Sequence, residues 1–175
     1  MKQSEVLTDS FSRIKRILDM ALADLTSEDL TQRPGPESNP IGWLTWHLTR
    51  GQDRQIAALA GWEQVWVKGN WHEKLGLPPD PNDMGTGHTA EQVASVRPPS
   101  AQLLLGYHDA TFEQTKAYLE TLRGDDLDRV LDETRFDPPP TAGIRIISII
   151  ADNLSHAGQV AYVKGLLQGK RWYPA

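Results

Sequence analysis

The stretch TAGIRIISIIADNLSHAGQVAYVKGLLQ, from Thr141 to Gln168, predicts one long helix around which the rest of the chain is organised. Thr141 is a suitable N-cap residue, and Gly169 is a suitable C-terminal stop. Steps of three and four residues return to the same face of a helix, so they define a core-facing stripe. That stripe comprises Ile149, Asp152, His156, Gln159, Val163 and Leu167. The sequence therefore predicts polar side chains on the buried face of this helix.

Asp152 and His156 lie one helical turn apart, which suits two arrangements. If both face the core, they can bind one metal ion or share a proton, and either would offset part of the cost of burying them. If they lie on a solvated face, they form an ordinary i,i+4 pair. Lys164, Asn153 and Ser155 already supply a polar side elsewhere, so we expect the first arrangement. It requires a third ligand from another helix.

The composition is that of one globular domain, which we expect to span residues 1–175. Hydrophobic residues make up 39% and charged residues 23% of the 175, and no apolar run is long enough to span a membrane. A net charge of -5 without a basic cluster disfavours nucleic-acid binding. The sequence has no cysteine, which excludes disulfides and cysteine catalysis. Its N-terminus lacks an apolar signal-peptide core, so the cytoplasm is the expected compartment.

Three further amphipathic segments predict long helices. The first, from about Ser4 to Leu25, repeats apolar residues every three or four positions. The second begins at Asn39-Pro40, where asparagine caps the helix and proline takes the first helical position, and it ends near Ala60 before Gly61. The third runs from about Ser100 to Leu122. With the C-terminal helix, these segments predict an all-α fold, a four-helix bundle.

The second and third of these helices each carry a histidine near the apolar stripe. His47 lies about two turns from the predicted cap, deep enough to face the middle of a bundle. A lone core histidine is more often hydrogen-bonded than metal-bound. With Asp152 and His156, however, His47 completes three ligands from two helices and leaves a coordination position free. His108 is a second choice, for which a core or rim position is the more natural role.

The long connection between the second and third helices, from Trp62 to Pro99, is rich in glycine, proline and tryptophan. So long a connection within a domain is often a lid or a binding loop. Its tryptophans either wall a pocket or pack the segment onto the helices, and the sequence leaves both open. Thr89-Ala-Glu-Gln92 resembles a capping box and predicts a short helix through Val96. His88, just before it, is a weaker candidate for contacting substrate or ligands.

The segment NPIGWLTWHL, from Asn39 to Leu48, together with Asp152-x-x-x-His156-Ala-Gly-Gln159, resembles the DinB-like superfamily over nearly the whole chain. That superfamily consists of four-helix-bundle metalloproteins and includes mycothiol-dependent maleylpyruvate isomerase. The resemblance implies a divalent metal ion, zinc first and nickel second, held by His47, Asp152 and His156. Many members have three histidines, whereas this chain has Asp152 at one of those positions. A carboxylate oxygen is also a suitable zinc ligand.

A three-ligand site with an open position predicts activation of a thiol or of a water molecule, because a bound metal lowers the pKa of either. The resemblance favours a low-molecular-weight thiol of the mycothiol type, which a chain without cysteine must take from solution. The leading hypothesis is therefore a metal-dependent thiol S-transferase or isomerase acting on an electrophilic small molecule, with Gln159 and Arg54 orienting ligands or substrate. A metal-dependent hydrolase, a non-catalytic metal-binding stress protein and an interaction module are the alternatives. A homodimer, expected from the resemblance, is compatible with all of these.

Overall fold

The fold is described for residues 2–173 by a computed structural model, and its regular structure is helical. Four long helices are α1 (Gln3–Leu22), α3 (Ile41–Ala60), α7 (Ala101–Thr121) and α8 (Ala142–Gln168). Four short helices are α2 (Ser27–Thr31), α4 (Val65–Lys68), α5 (Trp71–Leu75) and α6 (Ala90–Ser95), and a 3-10 turn follows α7 at Asp126–Asp128. Between residues 2 and 173 no strand forms beyond one isolated bridge, so the predicted all-α class is confirmed. No helix in this range is both long and apolar enough to cross a membrane.

The long helices pack in a ring, since α1 and α3 each contact both α7 and α8. Their buried faces meet in one shared core, to which α1 contributes Phe11, α3 contributes Leu48 and α8 contributes Ile146. Burying a side chain of this size stabilises the fold by about 1.5–3 kcal/mol. This packing places α3 and α8, which carry the candidate metal ligands, side by side.

Several predicted helix ends are confirmed by local hydrogen bonding. The hydroxyl of Ser100 accepts from the Leu103 N–H at 3.2 Å, and the hydroxyl of Thr141 accepts in the same way at the start of α8. Thr89 forms the predicted capping box that begins α6. Gly61 and Gly169 end α3 and α8 with φ of 68° and 61°, a left-handed conformation that glycine adopts without strain. These ends are therefore determined by residues next to them in the chain.

Two helix boundaries differ from the prediction, and three short helices were missed. Pro40, not Asn39, is the N-cap of α3, because its ψ of 162° is extended and the helix begins at Ile41. α1 ends at Leu22, three residues early, because Asp24 adopts a left-handed conformation with φ of 64°. The missed helices are α2, α4 and α5, whose four or five residues are too few to show a periodic pattern.

The buried face of α8 matches the predicted stripe at Ile149 and Val163 but not at its polar residues. Asp152 and Gln159 are exposed, and the His156 side chain is 19% exposed, whereas Asn153 and Lys164, which we placed on the polar side, are buried. Isoleucines occur on several sides of this helix, so periodicity alone does not determine which stripe faces inward. The packing of α8 against both α1 and α3 does determine it. Asp152 and His156 consequently lie at the edge of the core, where the site opens to solvent.

Two buried polar side chains of α8, Lys164 and Asn153, donate hydrogen bonds to neighbouring helices. The Lys164 ammonium donates to the carbonyl oxygens of Met20 and Ala23, at 3.2 and 2.9 Å, where α1 ends and its carbonyls lack helical partners. The Asn153 side chain donates to the side-chain oxygen Oε1 of Gln52 at 2.7 Å, which links α8 to α3. Hydrogen bonding of this kind offsets part of the cost of burying both residues.

The tryptophans of the 62–99 connection serve both purposes that the sequence left open. Trp66 is 1% exposed and packs in the core beneath the Arg50 guanidinium, whose central carbon lies 4.6 Å from the ring centroid. Trp62 and Trp71 instead line a groove of about 790 Å³ against α7. One tryptophan thus anchors the connection and two others form a groove wall.

Candidate metal centre

Two neighbouring helices bring His47, Asp152 and His156 together. One ligand atom from each residue lies within 4.8 Å of the others. The His156 Nε2 atom lies 3.6 Å from Asp152 Oδ1, one turn earlier on α8. The His47 and His156 rings are nearly perpendicular, with centroids 4.8 Å apart. Two imidazoles and a carboxylate therefore converge at the α3–α8 edge, as the sequence analysis expected.

Both histidines use Nδ1 for a hydrogen bond within the protein. His47 Nδ1 is bonded to the carbonyl oxygen of Met84, and His156 Nδ1 is 2.8 Å from Gln159 Oε1. Because a carbonyl oxygen only accepts, these bonds place the proton on Nδ1 and leave a lone pair on Nε2. Metal-binding histidines are usually held in this way, with the second ring nitrogen bonded to an oxygen. The arrangement therefore presents Nε2 of both rings as ligand atoms.

A tight loop closes over His47 from the 62–99 connection. The Trp43 ring stacks on the imidazole with centroids 4.7 Å apart and an angle of 8° between planes. Gly85, next to Met84, has φ of 89°. A Cβ atom at Gly85 would lie 2.9 Å from the rings of Trp43 and Trp46 and 3.2 Å from His47 Nδ1. Only glycine lets the backbone approach the imidazole this closely.

The environment of His47 favours its neutral form. Burial lowers the pKa of the imidazole and outweighs the hydrogen bond to the Met84 carbonyl, which raises it. Nearby His156 lowers the pKa and Asp152 raises it, each by a smaller amount. The neutral imidazole is the form that binds a metal ion. The protein environment alone therefore favours the protonation state of His47 that metal binding requires.

The donor set and spacing fit a divalent metal ion. Nitrogen and carboxylate ligands bind zinc at about 2.0–2.2 Å, so atoms on one ion lie no more than about 4 Å apart. The largest separation here, 4.8 Å, would have to close by about 1 Å. Asp152, whose side chain is 49% exposed, has room for that adjustment. Three protein ligands at an edge open to solvent also leave a position for a further ligand.

Of the weaker candidates, only Gln159 touches the group directly, through its bond to His156. His88 accepts from the Trp43 indole at 3.2 Å and lies 3.0 Å from Asp83, so it holds the loop against α3. Arg54 contacts the Met84 sulfur at 3.9 Å and faces a different pocket. His108, the second-choice ligand, is 1% exposed within α7 and lies outside the group.

A buried ion pair, which was not predicted from the sequence, fixes the loop. Arg50 donates to the carbonyl oxygens of Pro81 and Asp83, at 2.9 and 3.0 Å, just before Met84. Its guanidinium lies 3.4 Å from the carboxylate of Asp53, and both side chains are fully buried. Arginine supplies several donors in a rigid fork, so it can bind these acceptors together. The pair therefore positions the carbonyl that orients His47.

Asp53 completes this network on the other side. Its carboxylate accepts from the backbone N–H groups of Val65 and Trp66, both at 2.8 Å, and from the Tyr107 hydroxyl at 2.7 Å. The network joins α3, α4 and α7. An arginine and an aspartate three residues apart in the middle of a predicted bundle helix are the signal that could have predicted it.

The fold and site together define a class: an all-helical protein with two histidines and an aspartate arranged as a metal-binding group between two long helices. The comparisons identify the family. Residues 10–160 match the DinB superfamily, and the chain belongs to it. A crystal structure of a conserved protein from Enterococcus faecalis is similar with a TM-score of 0.89 and 32% identity, covering 97% of this chain and 99% of that chain. No curated protein matches the sequence significantly.

Proposed function

We propose that this chain is a metal-dependent thiol S-transferase or isomerase, a single domain built as a four-helix bundle. The observation that carries the proposal is the convergence of His47, Asp152 and His156, with both imidazoles presenting Nε2 at an open edge. A bound divalent ion would supply Lewis acidity, which lowers the pKa of a thiol and makes a thiolate available at neutral pH.

The chain's own residues have distinct roles in this proposal. His47, Asp152 and His156 are the ligands of the ion. The Met84 carbonyl and Gln159 hold the two imidazoles in the correct tautomer and orientation. Trp43 covers one face of His47 and keeps water from that side. The exposed side of the site, next to Asp152, is where thiol and electrophile would enter.

The absence of cysteine from the sequence supports an external thiol. The sulfur of a thiol-transfer reaction has to come from a small molecule, and mycothiol is the type that the family resemblance favours. A metal-dependent hydrolase would use the same three ligands with water in place of the thiol. A non-catalytic metal-binding protein would have the ligands but would not respond to thiols.

The first test is the metal content of the protein. We expect about one zinc ion per chain by elemental mass spectrometry after purification without chelators or a metal-binding tag, and loss of that ion in His156→Ala. His72→Ala is the matched control, because it removes a histidine of the 62–99 connection that is not in the group. No metal in the native protein, even after zinc is added, would refute the proposal.

The second test separates the thiol reaction from its alternatives. Cobalt-loaded protein is titrated with mycothiol while its visible absorption is recorded. A sulfur-to-cobalt band can arise only from the added thiol, since the chain has no cysteine. Appearance of the band would support a thiol-dependent enzyme. An unchanged spectrum would reject it, and ester hydrolysis by the zinc form would then favour the hydrolase.

We also propose that the protein is a homodimer that associates through the outer face of α8. Large apolar side chains on that face are more than 40% exposed: Ile144, Ile147, Leu154, Tyr162 and Leu166. Their three-, four-, seven- and eight-residue spacings place them on one stripe, and a stripe of this kind usually marks an interface. Light scattering at micromolar concentration should give twice the chain mass of 19.5 kDa, and the monomer mass for Ile147→Arg. A native monomer would refute the dimer.

A further inference from the structure

A second pocket of about 780 Å³ lies beside the candidate metal centre, between α3, the start of α8 and the segment 129–135. Its volume is typical of sites for small molecules. Four arginines from separate parts of the chain line it, namely Arg54, Arg129, Arg135 and Arg145. The tertiary structure thus gathers cationic side chains that are up to 91 positions apart in the sequence.

The charge of this pocket is opposite to that of the chain. Asp132 and Glu133 are the acidic residues in its lining, so the four arginines outnumber them by two. Glu133 is shared, because its carboxylate contacts both Arg145 and Arg135. Within residues 2–173, Arg54 and Arg129 make no salt bridge with a carboxylate. In a protein of net charge -5, this local excess of positive charge favours an anionic ligand.

Arg145 is the buried member of the set. The residue is 9% exposed, and its guanidinium donates to Gln55 at 3.1 Å and to Glu133. Its Nε atom is buried and has no hydrogen-bond partner in the described part of the chain. An unused donor on a buried cation is costly unless a ligand or solvent satisfies it. Arg145 therefore adds a buried positive charge to the pocket wall.

The pocket is aligned with the metal centre by the two helices that hold both. α3 and α8 run antiparallel, since Gln52 meets Asn153 whereas Gln55 meets Arg145. Arg54 is seven residues after His47 on α3, and Arg145 is seven residues before Asp152 on α8. Seven residues of helix rise about 10 Å, so both arginines are displaced by two turns in the same direction.

Met84 forms the boundary between the two sites. Its carbonyl is bonded to His47, and its sulfur is 3.9 Å from the Arg54 guanidinium. Met84 also lines the arginine pocket. A single residue therefore contacts both the candidate ligand and the cationic wall, so a bound anion would lie next to the proposed reaction site.

We propose that this pocket binds the anionic end of the substrate, a carboxylate or another oxyanion on a small organic molecule. The electrophilic end of the molecule would extend along α3 and α8 toward the metal centre. This assignment of a substrate class depends on the proposed function, but anion binding by the pocket does not. Arg54 and Arg129, which make no salt bridge within residues 2–173, provide planar donor forks that suit oxyanions, and Arg145 adds positive charge behind them.

The test measures anion binding on metal-free protein, so that it does not depend on the metal site. Isothermal titration is performed with succinate, with inorganic phosphate and with uncharged succinamide. Arg54→Gln and Arg145→Gln remove one cationic wall residue each. Arg13→Gln is the matched control. That arginine is exposed on α1, pairs with Asp9 and does not line the pocket. Thermal melts show whether each variant is folded.

We expect native protein and Arg13→Gln to bind succinate, and succinamide not to bind. Loss of a charge-assisted donor should weaken succinate binding about tenfold or more in Arg54→Gln. If Arg145→Gln does not fold, Arg54→Gln alone decides the outcome. Phosphate binding without succinate binding would assign the pocket to phosphate rather than carboxylate groups. No binding of either anion, or equal binding by Arg54→Gln, would overturn the proposal.

Failure of this proposal and failure of the proposed function give different results. His156→Ala should lose zinc and still bind succinate, because His156 is not part of the pocket lining. If native protein binds zinc and responds to thiol but does not bind anions, only the substrate class is wrong. If it binds anions but no metal, the anion-binding proposal is supported and the proposed thiol reaction is refuted.

Discussion

His108 makes the stability of this protein depend on pH. The imidazole is 1% exposed in α7, and neither nitrogen has a hydrogen-bond partner in the part of the chain described. Burial lowers its pKa from 6.5 to about 4, while Asp109 and Lys15, the nearby charges, act in opposite directions. The folded protein therefore binds fewer protons than the unfolded chain between these two values. Above pH 6.5, protonation of His108 does not lower the free energy of unfolding. As the pH falls from 6.5 to about 4, the unfolded chain gains the proton first and stability is lost.

The loss can be estimated from this shift. Each pH unit in the window costs about 1.4 kcal/mol for one proton, so His108 alone should cost about 2 kcal/mol between pH 6.5 and pH 5. His108→Leu removes the titrating group and fills a similar volume with an apolar side chain. The variant should therefore lose about 2 kcal/mol less than native protein when the pH falls from 7 to 5. Other titrating groups, including His47, are present in both proteins and cancel in the difference.

Urea unfolding of metal-free native protein and His108→Leu at pH 7, 6 and 5 measures this difference. His72→Leu is the control, because its side chain is only partly buried in the 62–99 connection. It should show the same pH dependence as native protein. Parallel stability curves for native protein and His108→Leu would refute the reasoning, because they would mean that the buried imidazole is not held neutral.

Three further predictions concern the metal centre and the network behind it. Asp53→Asn should destabilise the fold by about 3–5 kcal/mol, because it leaves the Arg50 cation buried without its carboxylate. The midpoint temperature of thermal unfolding should fall by at least about 6 °C. Gln159→Ala should weaken zinc binding about 10- to 100-fold in a competition titration, since it removes the acceptor that orients His156. Gly85→Ala should both lower stability and weaken zinc binding, because its Cβ would strike the Trp43 ring.

Each of these has an outcome that contradicts it. Asp9→Asn, at an exposed pair, should change stability by less than about 1 kcal/mol, and an equally small effect of Asp53→Asn would disprove the role of the buried pair. Zinc affinity in Gln159→Ala equal to native would show that His156 is oriented without it. Full zinc affinity in Gly85→Ala would show that the loop can move away from His47 without consequence.

The buried network shows why part of the site was not predictable. Arg50 and Asp53 are visible as an i,i+3 pair in the sequence, but their partners are backbone groups of Pro81, Asp83 and Val65, more than ten residues away. Nothing in a local pattern identifies which carbonyl a buried guanidinium will reach. The dependence of His47 on Met84 is non-local for the same reason.

The arginine pocket, too, was only partly predictable from the sequence. Arg54 was predicted from the sequence as a candidate for orienting ligands or substrate. Its association with Arg129, Arg135 and Arg145 depends on how the segment before α8 folds back over α3. That path is determined by packing across the fold and not by helical periodicity.

The sequence by itself determined the class of the fold, the four long helices and most of their ends, because caps such as Thr141 and stops such as Gly169 act on adjacent backbone groups. It also carried the motifs that identified the superfamily. Only the tertiary structure decided which face of α8 is buried, since isoleucines on several sides leave the helical phase open until α1 and α3 pack against it. That packing buries Asn153, exposes Asp152 and places His156 at an edge open to solvent, where the candidate metal-binding group is accessible.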